Sequence, residues 1–169
     1  MAKINGTKTS EIKPDLALNE KQQNEIVKVL QVTLADESVL YTRLRNYHWN
    51  VSGPQFFALH AAFEKQYNEI ADLIDETAEL IRQYGAKAHG TMTEFTREAR
   101  LTEEPNVYPA ARTMVGNLVN DHEAIIRCLR DDIQKVEDST GDVASVDFLT
   151  GLMQAHQRLA WMLRMVLED

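Results

Sequence analysis

Residues 48–79, HWNVSGPQFFALHAAFEKQYNEIADLIDETAE, decide how this chain is read. Ser52-Gly53-Pro54 forces a turn. After it, Phe56, Leu59, Phe63, Ile70, Ile74 and Ile81 recur at helical spacing, so a helix is expected from about Gln55 to Tyr84, stopped by Gly85. At about 100° per residue, with His60 as zero, Glu64 falls at about 40°, Asp75 at about 60° and Glu79 at about 100°. One imidazole and three carboxylates therefore share an arc beside the core stripe, a donor set suited to Fe(II), with Zn and Mn as competitors. One chain cannot close a site with them. His60 and Asp75 are separated along the helix axis by roughly 22 Å, at about 1.5 Å per residue. A second copy packed antiparallel solves this, because His60 and Glu79, and likewise Glu64 and Asp75, are placed symmetrically about the Glu69–Ile70 midpoint. A two-fold axis there gives two equivalent sites per dimer. His48, at the end of the preceding helix, returns beside His60 through the Ser-Gly-Pro turn.

Outward from this stretch the pattern stays helical. Ile26, Leu30, Leu34, Tyr41 and Leu44 mark a first helix over about 20–49. Residues 85–107 form a long connection with a short helix near 93–100, and a connection of that length usually crosses something. A third helix is expected from Pro109 to about Val136 on Val115, Leu118, His122, Ile125, Leu129 and Ile133, with a polar break at Asp138–Gly141. A fourth runs over about 143–167 on Leu149, Leu152, Met153, His156, Ala160, Leu163 and Leu167. Two long hairpins joined by one long crossover predict an all-α, ferritin-like four-helix bundle over 20–169. Residues 1–19, broken by Gly6, Ser10 and Pro14 and without apolar period, read as a flexible N-terminal arm.

Composition sets the remaining bounds. A chain of 169 residues suits one domain with a full core. The formal charge of −8 makes the body repel DNA and anionic membranes and suits a protein that handles cations. The single Cys128 rules out an intrachain disulfide and a multi-cysteine zinc site, and reads as a small buried hydrophobe. No apolar run spans a membrane and Met1–Leu18 has no signal-peptide core, so a cytoplasmic location, with nucleoid association as a variant of it, is expected.

Full-size ferritins place a di-iron site inside each bundle with Glu-x-x-His on two helices. No Glu here has a His three residues later, which disfavours that arrangement. HWNVSGPQFFALH with Glu64 and DETAE at 75–79, DHEAIIRCLR at 121–130 and GDVASVDFLT…H…AWMLR at 141–164 resemble the signature of the Dps family of mini-ferritins. The resemblance covers nearly everything after the arm. It implies a hollow homo-dodecamer with ferroxidase centres at two-fold interfaces, where Fe(II) is oxidised by hydrogen peroxide in preference to oxygen. The Fe(III) product is then stored inside and DNA is spared oxidative damage. By position, His48 and His60 come from one subunit and Asp75 and Glu79 from its partner. Glu64 stands where the family usually has Asp.

Other residues carry two readings each. His122 and His156 lie on core-facing stripes, as hydrogen-bonded core histidines or as an accessory metal or relay site. Asp142 and Asp147 match acidic positions that, in the family, line a three-fold pore admitting iron; the alternative is helix capping and dipole complementarity. Trp49 wedges an interface or absorbs stray oxidising equivalents. Lys3, Lys8 and Lys13 of the arm would give a dodecamer weak multivalent contact with DNA, or serve only a solubilising tail. The alternative function is a structural or nucleoid-binding shell whose metal site is inactive or holds Zn.

Overall fold

In the computed structural model, which describes residues 14–168, helix α1 (Glu20–Asn50) starts from a capping box. The Asn19 side chain accepts from the Gln22 amide at 3.0 Å, and the Gln22 side chain accepts from the Asn19 amide at 3.0 Å. Gly53, at φ 102°, turns the chain into α2 (Phe56–Gln83). The end of α2 is closed by Gly85 N–H on the Arg82 carbonyl and Ala86 N–H on the Ile81 carbonyl at 3.3 Å. Gly85 has φ 83°, and a Cβ there would lie 2.9 Å from Pro14 Cδ, so conformation and close approach both require glycine. The crossover carries α3 (Met92–Glu98), capped by Thr91 and Glu94. Then come α4 (Ala111–Thr140) and α5 (Val143–Leu167).

Contacts between the helices give the topology. His48 meets His60, and Gln31 meets Lys87, so α1 and α2 run antiparallel. His122 meets His156 and Arg112 meets Leu167, so α4 and α5 do the same. Tyr47 with Asn117 and Gln22 with Thr140 set α1 antiparallel to α4 across the crossover. The four long helices bury Leu30, Leu34, Leu44, Phe63, Ile70, Leu118, Ile125, Leu129, Leu149, Leu159 and Leu163 in one core. This is the expected ferritin-like bundle.

A polar edge of α1 straps the crossover down. Gln31 donates to the Lys87 carbonyl at 2.7 Å and accepts from the His89 amide at 3.0 Å. Asp36, 1% exposed, accepts from the amides of Arg100 and Leu101 and from Arg100 Nε, while Arg100 also reaches Asp132 at 2.7 Å. Arg43 holds Asp121 at 2.5 Å and donates to the Thr102 carbonyl.

Three expectations are adjusted. Helix α4 begins at Ala111 instead of at Pro109, and it runs through the polar segment to Thr140. There Ser139 and Thr140 hydroxyls bond back to the Lys135 and Val136 carbonyls, and Gly141 stops the helix at φ 66°. Cys128 is half-buried, with its thiol pushed up by partial burial. Residues 1–13 of the expected arm, with their lysines, lie outside the described residues; of the rest, Leu18 packs against the core.

Candidate metal centre

The Ser-Gly-Pro turn brings the end of α1 against the start of α2 and stacks His48 on His60. The ring centroids are 3.7 Å apart and the planes differ by 20°. His48 Nδ1 lies 2.9 Å from the His60 carbonyl oxygen, and His60 Nδ1 lies 2.8 Å from the His48 carbonyl oxygen. A carbonyl only accepts, so each Nδ1 carries the proton and donates it. In the neutral ring this tautomer leaves the Nε2 lone pair for a metal ion.

Aromatic side chains frame the pair. Tyr67 stands edge-on to His48 at 5.3 Å and to Tyr41 at 6.0 Å, and Phe56 stacks on His60 at 5.1 Å. The Arg45 guanidinium lies over the rings of Tyr67, Trp49 and Tyr41, at 4.8 Å, 5.0 Å and 5.7 Å. Tyr67 donates to Glu64 Oε1 at 3.3 Å. Desolvation and the neighbouring Glu64 carboxylate push the Tyr67 phenol up. Glu64 follows His60 by one turn of α2 and is exposed. Trp49 is 64% exposed, so within the subunit it wedges nothing.

Asp75 and Glu79 are exposed on the distal half of α2. Within one chain the helix holds them apart from the histidine pair. Among the described residues, no three or more His, Cys, Asp or Glu side chains of the single chain are grouped to hold a metal ion.

The other singled-out residues fall into two places. His122 and His156 meet inside the bundle, Nδ1 to Nδ1 at 2.9 Å, both 0% exposed. Burial, with the adjacent His156, holds the His122 imidazole well below its usual range. Glu37, which sequence reasoning missed, joins them from α1. Burial lifts its carboxyl above the usual range against the opposing pull of His156. Its signal was a carboxylate inside the apolar stripe of Leu30, Leu34, Tyr41 and Leu44.

Asp142 caps α5, its Oδ2 accepting from the Ser145 amide at 3.0 Å and from the Tyr84 hydroxyl. Desolvation opposes its charge, but these hydrogen bonds outweigh it and hold the carboxyl below its usual range. Asp147 is exposed one turn further on. Desolvation and the Asp142 carboxylate push the Tyr84 phenol up to about 12. The folded state therefore favours the neutral phenol: its stabilisation is complete below about pH 10 and fades as the pH rises through about 12. Tyr84→Phe should cost about 1.5–3 kcal/mol at neutral pH, the worth of a hydrogen bond to a charged acceptor. The late phenolate step in an ultraviolet titration should vanish with it; a wild-type titration without that step would contradict the assignment.

Three comparisons bear on this geometry. The ferritin-like domain family matches residues 27–169. An uncharacterized low temperature-induced protein of Nostoc sp. (strain PCC 7120) is 40% identical over 91% of this chain and 86% of its own length. The DNA protection during starvation protein of Porphyromonas gingivalis is 38% identical over 86% of this chain and 91% of its own. Among solved structures, the Dps protein of Vibrio cholerae O1 superposes with a TM-score of 0.84. It is 27% identical, covers 95% of this chain and 100% of its own, and is a member of a broad superfamily of ferritin-like diiron-carboxylate proteins. Among the described residues, no helix is long and apolar enough to cross a membrane. With the family model matched over residues 27–169 and both the starvation-protection relative and the Vibrio cholerae structure covering most of the chain, the protein belongs to the Dps family of ferritin-like proteins.

Proposed function

We propose that this chain is the subunit of a hollow dodecamer that takes up Fe(II), oxidises it at two-fold interfaces and stores the ferric product inside. The observation that carries the reading is the reciprocal bonding of His48 and His60, which fixes both rings in the metal-binding tautomer. Glu64 joins them from the same subunit. Asp75 of the partner subunit and Glu79 of the partner subunit complete the ligand set by the symmetry of α2. These carboxylates offset the positive charge of the bound iron, and they stabilise Fe(III) more than Fe(II) because the attraction grows with ionic charge. Two Fe(II) ions supply the two electrons that hydrogen peroxide needs. With two protons taken up, the products are two Fe(III) and two waters. Removing iron and peroxide together protects DNA by suppressing hydroxyl radical. Oxygen is the slower alternative oxidant in this scheme. The exposed Asp147 and, beside its capping role, Asp142 are assigned to a three-fold pore that draws Fe(II) inward. Any DNA contact is assigned to Lys3, Lys8 and Lys13 and, resting on phosphate charges, weakens as salt rises.

Anaerobic addition of Fe(II) to assembled protein, followed by peroxide, tests the reading. Light scattering should show a large closed particle, and oxidation should be rapid at two Fe(II) per peroxide. Intact particles that leave Fe(II) unoxidised would favour a structural or nucleoid-binding shell with Zn or nothing at the interface.

A further inference from the structure

The bundle interior holds polar side chains that the interface chemistry does not use. Glu37 of α1, His122 of α4 and His156 of α5 are each 0% exposed. The two rings share one hydrogen bond, Nδ1 to Nδ1, at 2.9 Å. Beyond it, both Glu37 carboxylate oxygens, His156 Nε2 and His122 Nε2 are buried without hydrogen-bond partners among the described residues. Buried polar atoms are nearly always paired, so the three unpaired atoms of Glu37 and His156 require a cause.

The spacing suggests one. His156 Nε2 stands 3.5 Å from Glu37 Oε1. That is longer than an ordinary N–H···O bond of about 2.7–3.2 Å. It fits two donor atoms on one tetrahedral ion, since bonds of about 2.1 Å place neighbouring ligand atoms about 3.4 Å apart. Of the two tautomer arrangements that the Nδ1–Nδ1 bond allows, one fits this reading. When His156 Nδ1 donates to His122 Nδ1, His156 Nε2 keeps its lone pair and turns it toward the carboxylate. Two acceptors then face each other across a gap that a cation would bridge.

We propose that Glu37 and His156 hold a single divalent transition-metal ion of the zinc class inside each bundle, with His122 fixing His156 in its metal-binding tautomer. Two side chains supply up to three donor atoms, and water completes the coordination. The mixed nitrogen and oxygen donors suit Zn(II), Co(II) or Fe(II) and are unsuited to soft ions. The site needs only one chain, so it is independent of the two-fold interface. It is mononuclear, because the chain has no Glu-x-x-His from which a paired site could be built. His122 is a positioning residue, acting on the metal only through the ring it orients.

The test uses assembled shells of the double variant His60→Ala/Asp75→Ala, in which the proposed interface sites are dismantled. These are stripped with chelator, loaded with Co(II) and desalted. One Co(II) per chain should remain, with a visible d–d absorption. Adding Glu37→Gln, a substitution of nearly equal volume, should abolish retention. Adding His122→Asn should instead weaken it by about 10–100-fold, as loss of an orienting partner does. No retained Co(II) in the double variant, or retention unchanged by Glu37→Gln, would overturn the proposal. Anomalous scattering from Co(II)-soaked crystals of the double variant decides the matter without any core substitution. Density between Glu37 and His156 supports the site, and density elsewhere alone refutes it. Iron oxidation by wild-type shells is measured separately, so failure here leaves the interface reading standing.

Discussion

Shells built only from His60→Ala chains, or only from Asp75→Ala chains, should oxidise Fe(II) more than about 100-fold slower than wild type, since even outer-layer partners of metal ligands cost about 10–100-fold. Mixing the two after dissociation and reassembly should bring activity back. In a mixed dimer each site takes His60 from one chain and Asp75 from the other. One of its two sites therefore lacks both ligands and the other lacks neither. Random pairing of equal amounts makes half the dimers mixed, so about a quarter of wild-type activity should return, set by two-fold symmetry alone. Both side chains lie outside the buried core, His60 half-buried and Asp75 exposed, so neither substitution should unfold the bundle. A site closed within one chain predicts no recovery, because every chain would still carry a broken centre. No rescue in a preparation whose tagged mixed dimers are confirmed would falsify the interface assignment.

The second large effect is expected at Asp36. This carboxylate, 1% exposed, receives two backbone amides and Arg100 Nε from the crossover. Asp36→Ala strands those donors and leaves Arg100 with only the partly exposed Asp132. Breaking a buried pair of this kind costs about 3 kcal/mol or more. Asp132→Ala, which loses an outer contact, should cost less than about 1 kcal/mol. Unfolding of a shell is tied to its assembly, so a local readout is better than a melting point. Amides of Arg100 and Leu101 should exchange hydrogen about 100-fold faster in Asp36→Ala, tenfold for each 1.4 kcal/mol. Unchanged exchange would show that the packing of Phe95 and Leu101 against the core holds the crossover by itself.

These two sites were unequally legible in the sequence. The arc of His60, Glu64, Asp75 and Glu79 depends only on helical periodicity, which one stretch of sequence contains in full. The four long helices were readable for the same reason, through their apolar stripes. The carbonyl bonds that orient His48 and His60 depend on how the turn aims two helix ends, and no spacing rule reports that. The strap was hidden because Asp36 and Arg100 are 64 residues apart, and charged residues are usually solvated. Glu37 was overlooked by a related habit: an apolar stripe is read by skipping its polar members. The end of α4 was misjudged because Ser139 and Thr140 look like turn residues until their hydroxyls are seen bonding back into the helix.

The exchange of hydrogen bonds between His48 and His60 lies wholly within one subunit. Half of the proposed centre is thus finished as soon as the chain folds, while the carboxylates opposite arrive only with a second copy. On that reading a lone subunit is armed but inert, and chemistry begins only when it pairs with a second copy across the two-fold. Such an order would tie the start of oxidation to assembly.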